Sequence, residues 1–264
     1  MKVRCLLVLA VLTLLAGCGG RKPYGVFLGT SDDLKQFDNF DTIVIDAQYY
    51  EKEAIEHFKQ KNHRVFSYIN VGSVENFREY YADYENLTLG DYEHWDEEKW
   101  VDVSSEKWQR FVVEELATSL ADKGIDGFFV DNCDVYYQYS TKDMLDGLAV
   151  IMKGLKSCGI EVIINGGDSF MDAYTLDGGT WSDVITGINQ ESVFSRINWD
   201  DGTFGRAAAE DREYFMSYLE RYGAMGATVY LLEYTHDTGL IDEIDKYCKS
   251  NGFTYYVSDS LELD

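Results

Sequence analysis

Acids and amides stand where the apolar runs of this sequence stop. TIVI (42–45) runs into Asp46, Gln48 and Tyr49, and FFV (128–130) runs into Asp131, Asn132 and Asp134. RVFSYI (64–69) ends at Asn70, and EVII (161–164) ends at Asn165, with Asp168 after it. ITGI (185–188) ends at Asn189, Gln190 and Glu191, and VYLL (229–232) ends at Glu233 and Tyr234. Two carboxyls at one mouth, one able to donate a proton, are what glycosidic-bond cleavage needs, with no metal or cofactor. No Lys or Arg occupies these positions, Arg78 and Arg196 coming later in loops, so a phosphate has no cationic seat. The chain has four histidines, and His57 and His63 fall on or beside a helix away from these ends, which disfavours a zinc site. A carboxylate-bound Mg2+ or Ca2+ remains open, and no Ser-His-Asp or Cys-His set is apparent.

Elements that end side by side must gather these residues. Strands are predicted over 24–29, 42–48, 64–72, 127–132, 161–167, 183–192, 228–235 and 254–260. Between most of them the apolar spacing is helical. Trp108, Phe111, Val112, Leu116 and Leu120 share one face behind a cap at Ser104 or Ser105, and Leu145, Leu148, Met152 and Leu155 share another. Eight β-branched strands alternating with seven helices predict a (β/α)8 TIM barrel, its eighth helix missing or reduced because only LELD follows. A doubly wound sheet is the alternative, but the first strand ends in LGTSDD and not in a glycine-rich phosphate turn. In a barrel the strand ends form one ring, and that ring is where catalysis sits.

The composition limits the ligand. A net charge of -24 opposes nucleic acid and favours a cationic partner or a merely soluble surface. Twenty tyrosines supply rings with a polar tip, which suit sugars. Tyr49, Tyr136, Trp181, Trp199 and Tyr234 are the candidate stackers; Asp46, Asn70, Asp102, Asn132, Asp134, Asn165 and Glu233 are the candidate polar contacts.

Several stretches, taken together and in order, resemble glycoside hydrolase family 114, the endo-α-1,4-polygalactosaminidases and their bacterial barrel relatives. They are IVIDAQYY (43–50), VFSYINVGSVENFR (65–78), WVDVSSEKWQRF (100–111), KGIDGFFVDNCDVYY (123–137) and NQES (189–192). The resemblance implies a barrel that cleaves α-1,4-linked, galactosamine-rich polysaccharide, its catalytic pair an Asp at the fourth strand end and a Glu at the sixth. Carried onto this chain, these are Asp131 as nucleophile and Glu191 as general acid/base, with a retaining outcome. Other readings are a barrel that binds carbohydrate without turnover, and a carboxylate-metal hydrolase.

Residues 1–17 read as an export signal, a basic MKVR followed by a short apolar run. Leu15-Ala16-Gly17-Cys18 resembles a bacterial lipobox, so Cys18 is expected to carry lipid and tether the chain to the cell envelope through residues 18–23, with 24–264 as one domain. Cys133, Cys158 and Cys248 are too scattered for a disulfide framework and are expected to be mainly buried thiols.

Overall fold

A computed structural model describes residues 20–29 and 34–263. The export signal and Cys18 lie outside the described residues. Eight strands form one sheet: β1 (Lys22–Phe27), β2 (Phe40–Ile45), β3 (Arg64–Asn70), β4 (Gly127–Asp131), β5 (Glu161–Asn165), β6 (Gly187–Glu191), β7 (Thr228–Tyr234) and β8 (Thr254–Ser258). They stand in sequence order, and every ladder between neighbours is parallel. The expected barrel is therefore present. Its seam lies between β8 and β1, which face each other through the Phe27 and Tyr256 rings, 5.4 Å apart. Gly29 N–H donates to Leu263 O at 3.2 Å, so residues after β8 close the seam where no ladder does.

Helices α1 (Lys52–Lys59), α2 (106–122), α3 (Lys142–Ser157), α4 (Asp168–Leu176), α5 (Ala209–Ala224) and α6 (Thr238–Asn251) cover the outside. Among the described residues between β1 and β2 the helical structure is one 3-10 turn, Leu34–Gln36, and residues 259–263 form no helix. Thr141 caps α3 by accepting from Met144 N–H, which satisfies one of the donors a helix start leaves open. Ser105 occupies the cap position of α2 without a side-chain bond; Trp108 Nε1 on that helix instead donates to Val71 O at 2.8 Å and fixes the end of β3. Cys133 and Cys248 are buried free thiols, while Cys158 is half-buried.

Side chains alternate across each strand, and this alternation separates two cores. Val26, Val44, Phe66, Tyr68, Phe129, Ile163, Tyr230 and Leu232 fill the barrel interior. Ile43, Ile45, Phe128, Val130, Ile164, Ile188 and Leu231 face the helices. Counting by two from the interior set, Asp131 continues from Phe129, Asn165 from Ile163 and Tyr234 from Leu232, so all three point into the mouth.

Two stretches read as loops hold structure. Residues 73–104 contain a three-stranded antiparallel sheet, Ser73–Glu75 with Glu98–Val101 and Thr88–Asp91. After β6, Ser195–Asn198 and Thr203–Arg206 form a hairpin. Strands of three or four residues carry too few alternations to be seen in sequence. Gly72 marks where the first excursion leaves β3: a Cβ there would sit 1.7 Å from Asn132 O, so only glycine lets these two strand ends meet.

Candidate active site

One cavity of about 670 Å3 opens at the C-terminal ends of the strands. Asp131 on β4 and Glu191 on β6 both line it, with Asn165 from β5 between them. Asn165 Nδ2 donates to Asp131 Oδ1 at 2.9 Å and to Glu191 Oε1 at 2.7 Å. Two oxygens at those distances from one nitrogen are separated by no more than 5.6 Å, the total of the two. Asn165 is itself oriented: its Oδ1 accepts from Asn189 Nδ2 at 2.7 Å, and Asn189 Oδ1 accepts from Tyr24 OH at 3.1 Å. This chain of amides forces the Asn165 nitrogen toward the acids, because its oxygen is already engaged. Tyr234 OH lies 2.8 Å from Glu191 Oε2.

Electrostatics favours retained protons. Burial, then the Glu191 charge, raises the Asp131 carboxyl well above its ordinary value, against the pull of Asn165. Burial also raises Glu191, opposed by its bonds to Asn165 and Tyr234. The Glu191 contribution to Asp131 vanishes once Glu191 is protonated, so the two titrate as a pair and not independently. Burial and the Asp168 charge push Asp134 up to about 7, although Gly167 N–H donates to it at 3.3 Å.

The other expected site residues divide clearly. Asp46, Tyr49, Asn132, Asp134, Trp199 and Tyr234 line the cavity. Asn70 lies just beneath, its Nδ2 donating to Glu98 Oε1 at 2.7 Å. Asp102 does not line the cavity; its Oδ1 accepts from Ser104 N–H at 3.0 Å and turns the chain into α2. Tyr136 packs against the outer core, and Trp181 sits edge-on to Tyr222 at 6.5 Å, both away from the cavity.

Glu233 is a correction. It lies one position off the inward phase of β7, is fully buried, and faces the helix layer. There it accepts from Phe194 N–H at 3.0 Å, Ser195 N–H at 2.8 Å and Ser195 Oγ at 2.6 Å. It thus holds the chain that leaves Glu191 for the hairpin. Glu233→Ala orphans these buried donors, so a stability loss of about 2–4 kcal/mol is expected in chemical denaturation.

Several lining residues were not singled out from sequence. Glu98, on the antiparallel sheet, accepts from Asn132 Nδ2 at 2.7 Å and from Ser73 Oγ. Asn132 reaches it from a left-handed backbone, φ 65°. Trp95 and Trp199, from the β3 and β6 excursions, meet edge to face at 6.3 Å, and His94 stacks on Trp199 at 4.5 Å. The excursions therefore arch over part of the mouth, and one face of Trp199 is already covered.

Residues 23–264 match glycoside hydrolase family GH114. The chain belongs to glycoside hydrolase family GH114. It is a glycoside hydrolase, and the match takes in every described residue from 23 onward. The fold is similar to that of the glycoside hydrolase domain of PelA from Pseudomonas aeruginosa, with a TM-score of 0.74 and 18% identity over 93% of this chain and 97% of that one. It is also similar to Aspergillus fumigatus Ega3, solved in complex with galactosamine, with a TM-score of 0.71 and 14% identity over 92% of each chain. An α-galactosidase from Thermus thermophilus shares the fold at a TM-score of 0.55 and 9% identity, over 90% of this chain and 58% of that one. No curated protein matches the sequence.

Proposed function

We propose that this GH114 enzyme cleaves an α-1,4-linked, galactosamine-rich polysaccharide with retention of configuration. Asp131 is the nucleophile and Glu191 the general acid/base. The single Asn165 nitrogen bonded to both carboxyls carries this reading, since it limits the two bonded oxygens to 5.6 Å. Retaining pairs stand about 5–5.5 Å apart, and inverting pairs about 6.5–9.5 Å, leaving room for water.

The partners favour the two roles. Both carboxyls accept from the Asn165 N–H, which only donates and so favours the charged form of each; the phenol of Tyr234 is what sets Glu191 apart. Glu191 Oε2 pairs with a phenol, which donates to a carboxylate and accepts from a carboxylic acid. Such a partner suits a group that must give up and regain a proton. In the first step Glu191 protonates the glycosidic oxygen, Asp131 bonds to the anomeric carbon and the glycosidic bond breaks. Glu191 then takes a proton from water, whose oxygen displaces Asp131 from that carbon.

The lining has eight acids and one arginine, Arg78, which favours a cationic amino sugar. NMR of the first product of an aryl α-galactosaminide tests the mechanism. The α-anomer is expected first, and initial β-anomer would overturn retention. Export and anchoring follow from residues 1–18. Cys18→Ala is expected to abolish incorporation of radiolabelled palmitate and release the protein from membranes, whereas unchanged labelling would sink the lipid-anchor reading.

A further inference from the structure

Phe77 and Tyr49 are exposed aromatic rings, 56% and 46% accessible, and both line the cavity. Exposed rings are ordinarily free to turn, but these two share a buried cation. The Arg78 guanidinium lies 5.1 Å from the Phe77 centroid and 5.6 Å from that of Tyr49. Arg78 is only 8% exposed and cannot move easily: Asp46 holds it at 2.7 Å and Glu75 at 2.8 Å. A buried ion triad contributes little net stability, because desolvation offsets attraction. What it does supply is fixed geometry beneath two rings that face solvent.

The triad also leaves an acceptor. Glu75 is 5% exposed and lines the cavity, and its Oε2 is buried with no hydrogen-bond partner. An aromatic face beside an unpaired acceptor is the chemistry that recognises a pyranose, whose C–H face stacks while a hydroxyl or ammonium donates. The location is set by topology. Tyr49 follows β2 and Phe77 follows β3, next to Asp131 on β4 and far around the ring from Glu191 on β6. The cavity is continuous from the acid pair to these rings.

We propose that Phe77, Tyr49 and Glu75 form a distal sugar subsite, which binds a second pyranose of the polymer on the Asp131 side of the cleavage point. This rests on the glycosidase reading for its role and makes Phe77 a determinant of chain length. Arg78 and Asp46 position the subsite and do not touch the sugar.

Phe77→Ala and Phe77→Trp test it with α-1,4-linked galactosamine oligomers of increasing length. The ratio of wild-type to F77A kcat/KM is expected to grow with length, to about tenfold, through KM and not kcat, and F77W is expected to restore it. A ratio that is constant with length overturns the subsite. Calorimetric titration of the same oligomers into D131N proteins, with and without F77A, reads binding without turnover. F77A should weaken the longer oligomers about tenfold at unchanged Tm, and equal affinity, or no binding by D131N alone, overturns the proposal. Binding without hydrolysis by the wild type would instead count against the proposed function while leaving the subsite standing.

Discussion

Asp131→Asn is expected to lower kcat by about 10^4 or more on every substrate, because it removes the group proposed to bond the anomeric carbon. Glu191→Gln should lose about 10^2–10^4 on the polymer. It should lose far less on an aryl glycoside whose leaving group departs without a proton. The contrast assigns the roles: if the good leaving group rescues D131N and not E191Q, the two residues exchange functions. A fluorosugar that traps the glycosyl-enzyme should label the peptide carrying Asp131. Stability provides the folding control. The folded carboxyl of Asp131 is raised by burial and by Glu191, so folding takes up a proton. Its ionisation costs nothing extra below the ordinary carboxylate range, and stability falls as pH rises from there toward the folded value. At neutral pH, D131N removes that cost and should raise Tm. An inactive variant that melts higher excludes unfolding as the cause; a lower Tm would contradict the burial argument.

Asn165→Ala is expected to be almost as damaging, about 10^2–10^3 in kcat, although the residue neither attacks nor protonates. Its nitrogen is the shared donor of both carboxyls and sets their spacing. The pH profile separates this role from general support. Asn165 lowers the proton affinity of both acids by bonding to their charged forms. Its removal raises both, so both limbs of the kcat/KM profile should move to higher pH. Loss of rate with neither limb moved would show that Asn165 only packs. Asn165→Asp places a third carboxyl between the pair and should raise the acid limb further.

Much of this site is legible in the chain because strand side chains alternate with a period of two. From Phe129, Ile163 and Leu232 inside the barrel, two steps reach Asp131, Asn165 and Tyr234. The same count places Glu233 outside, and treating every polar residue at a strand end as part of the mouth overlooked that phase. Asp102 and Tyr136 failed differently: each lies near the rim in sequence, yet turn geometry directs one into a local cap and packing takes the other into the outer core. Glu98, Trp95 and the Phe77 platform left little trace, since the 73–104 excursion is built from strands too short to show a pattern.

By itself the sequence determined the barrel and the order of its strands, and it offered Asp131 and Glu191 as the candidate acids. Those follow from local alternation, helix spacing and motifs carried by consecutive residues. Only the tertiary structure decided how far apart the acids stand, which amide joins them, and which loops fold back over the mouth. These are distances between residues 34 and 26 positions apart, from Asn165 to Asp131 and to Glu191, and they are fixed by barrel closure and by a hydrogen-bond chain reaching Tyr24 on the first strand.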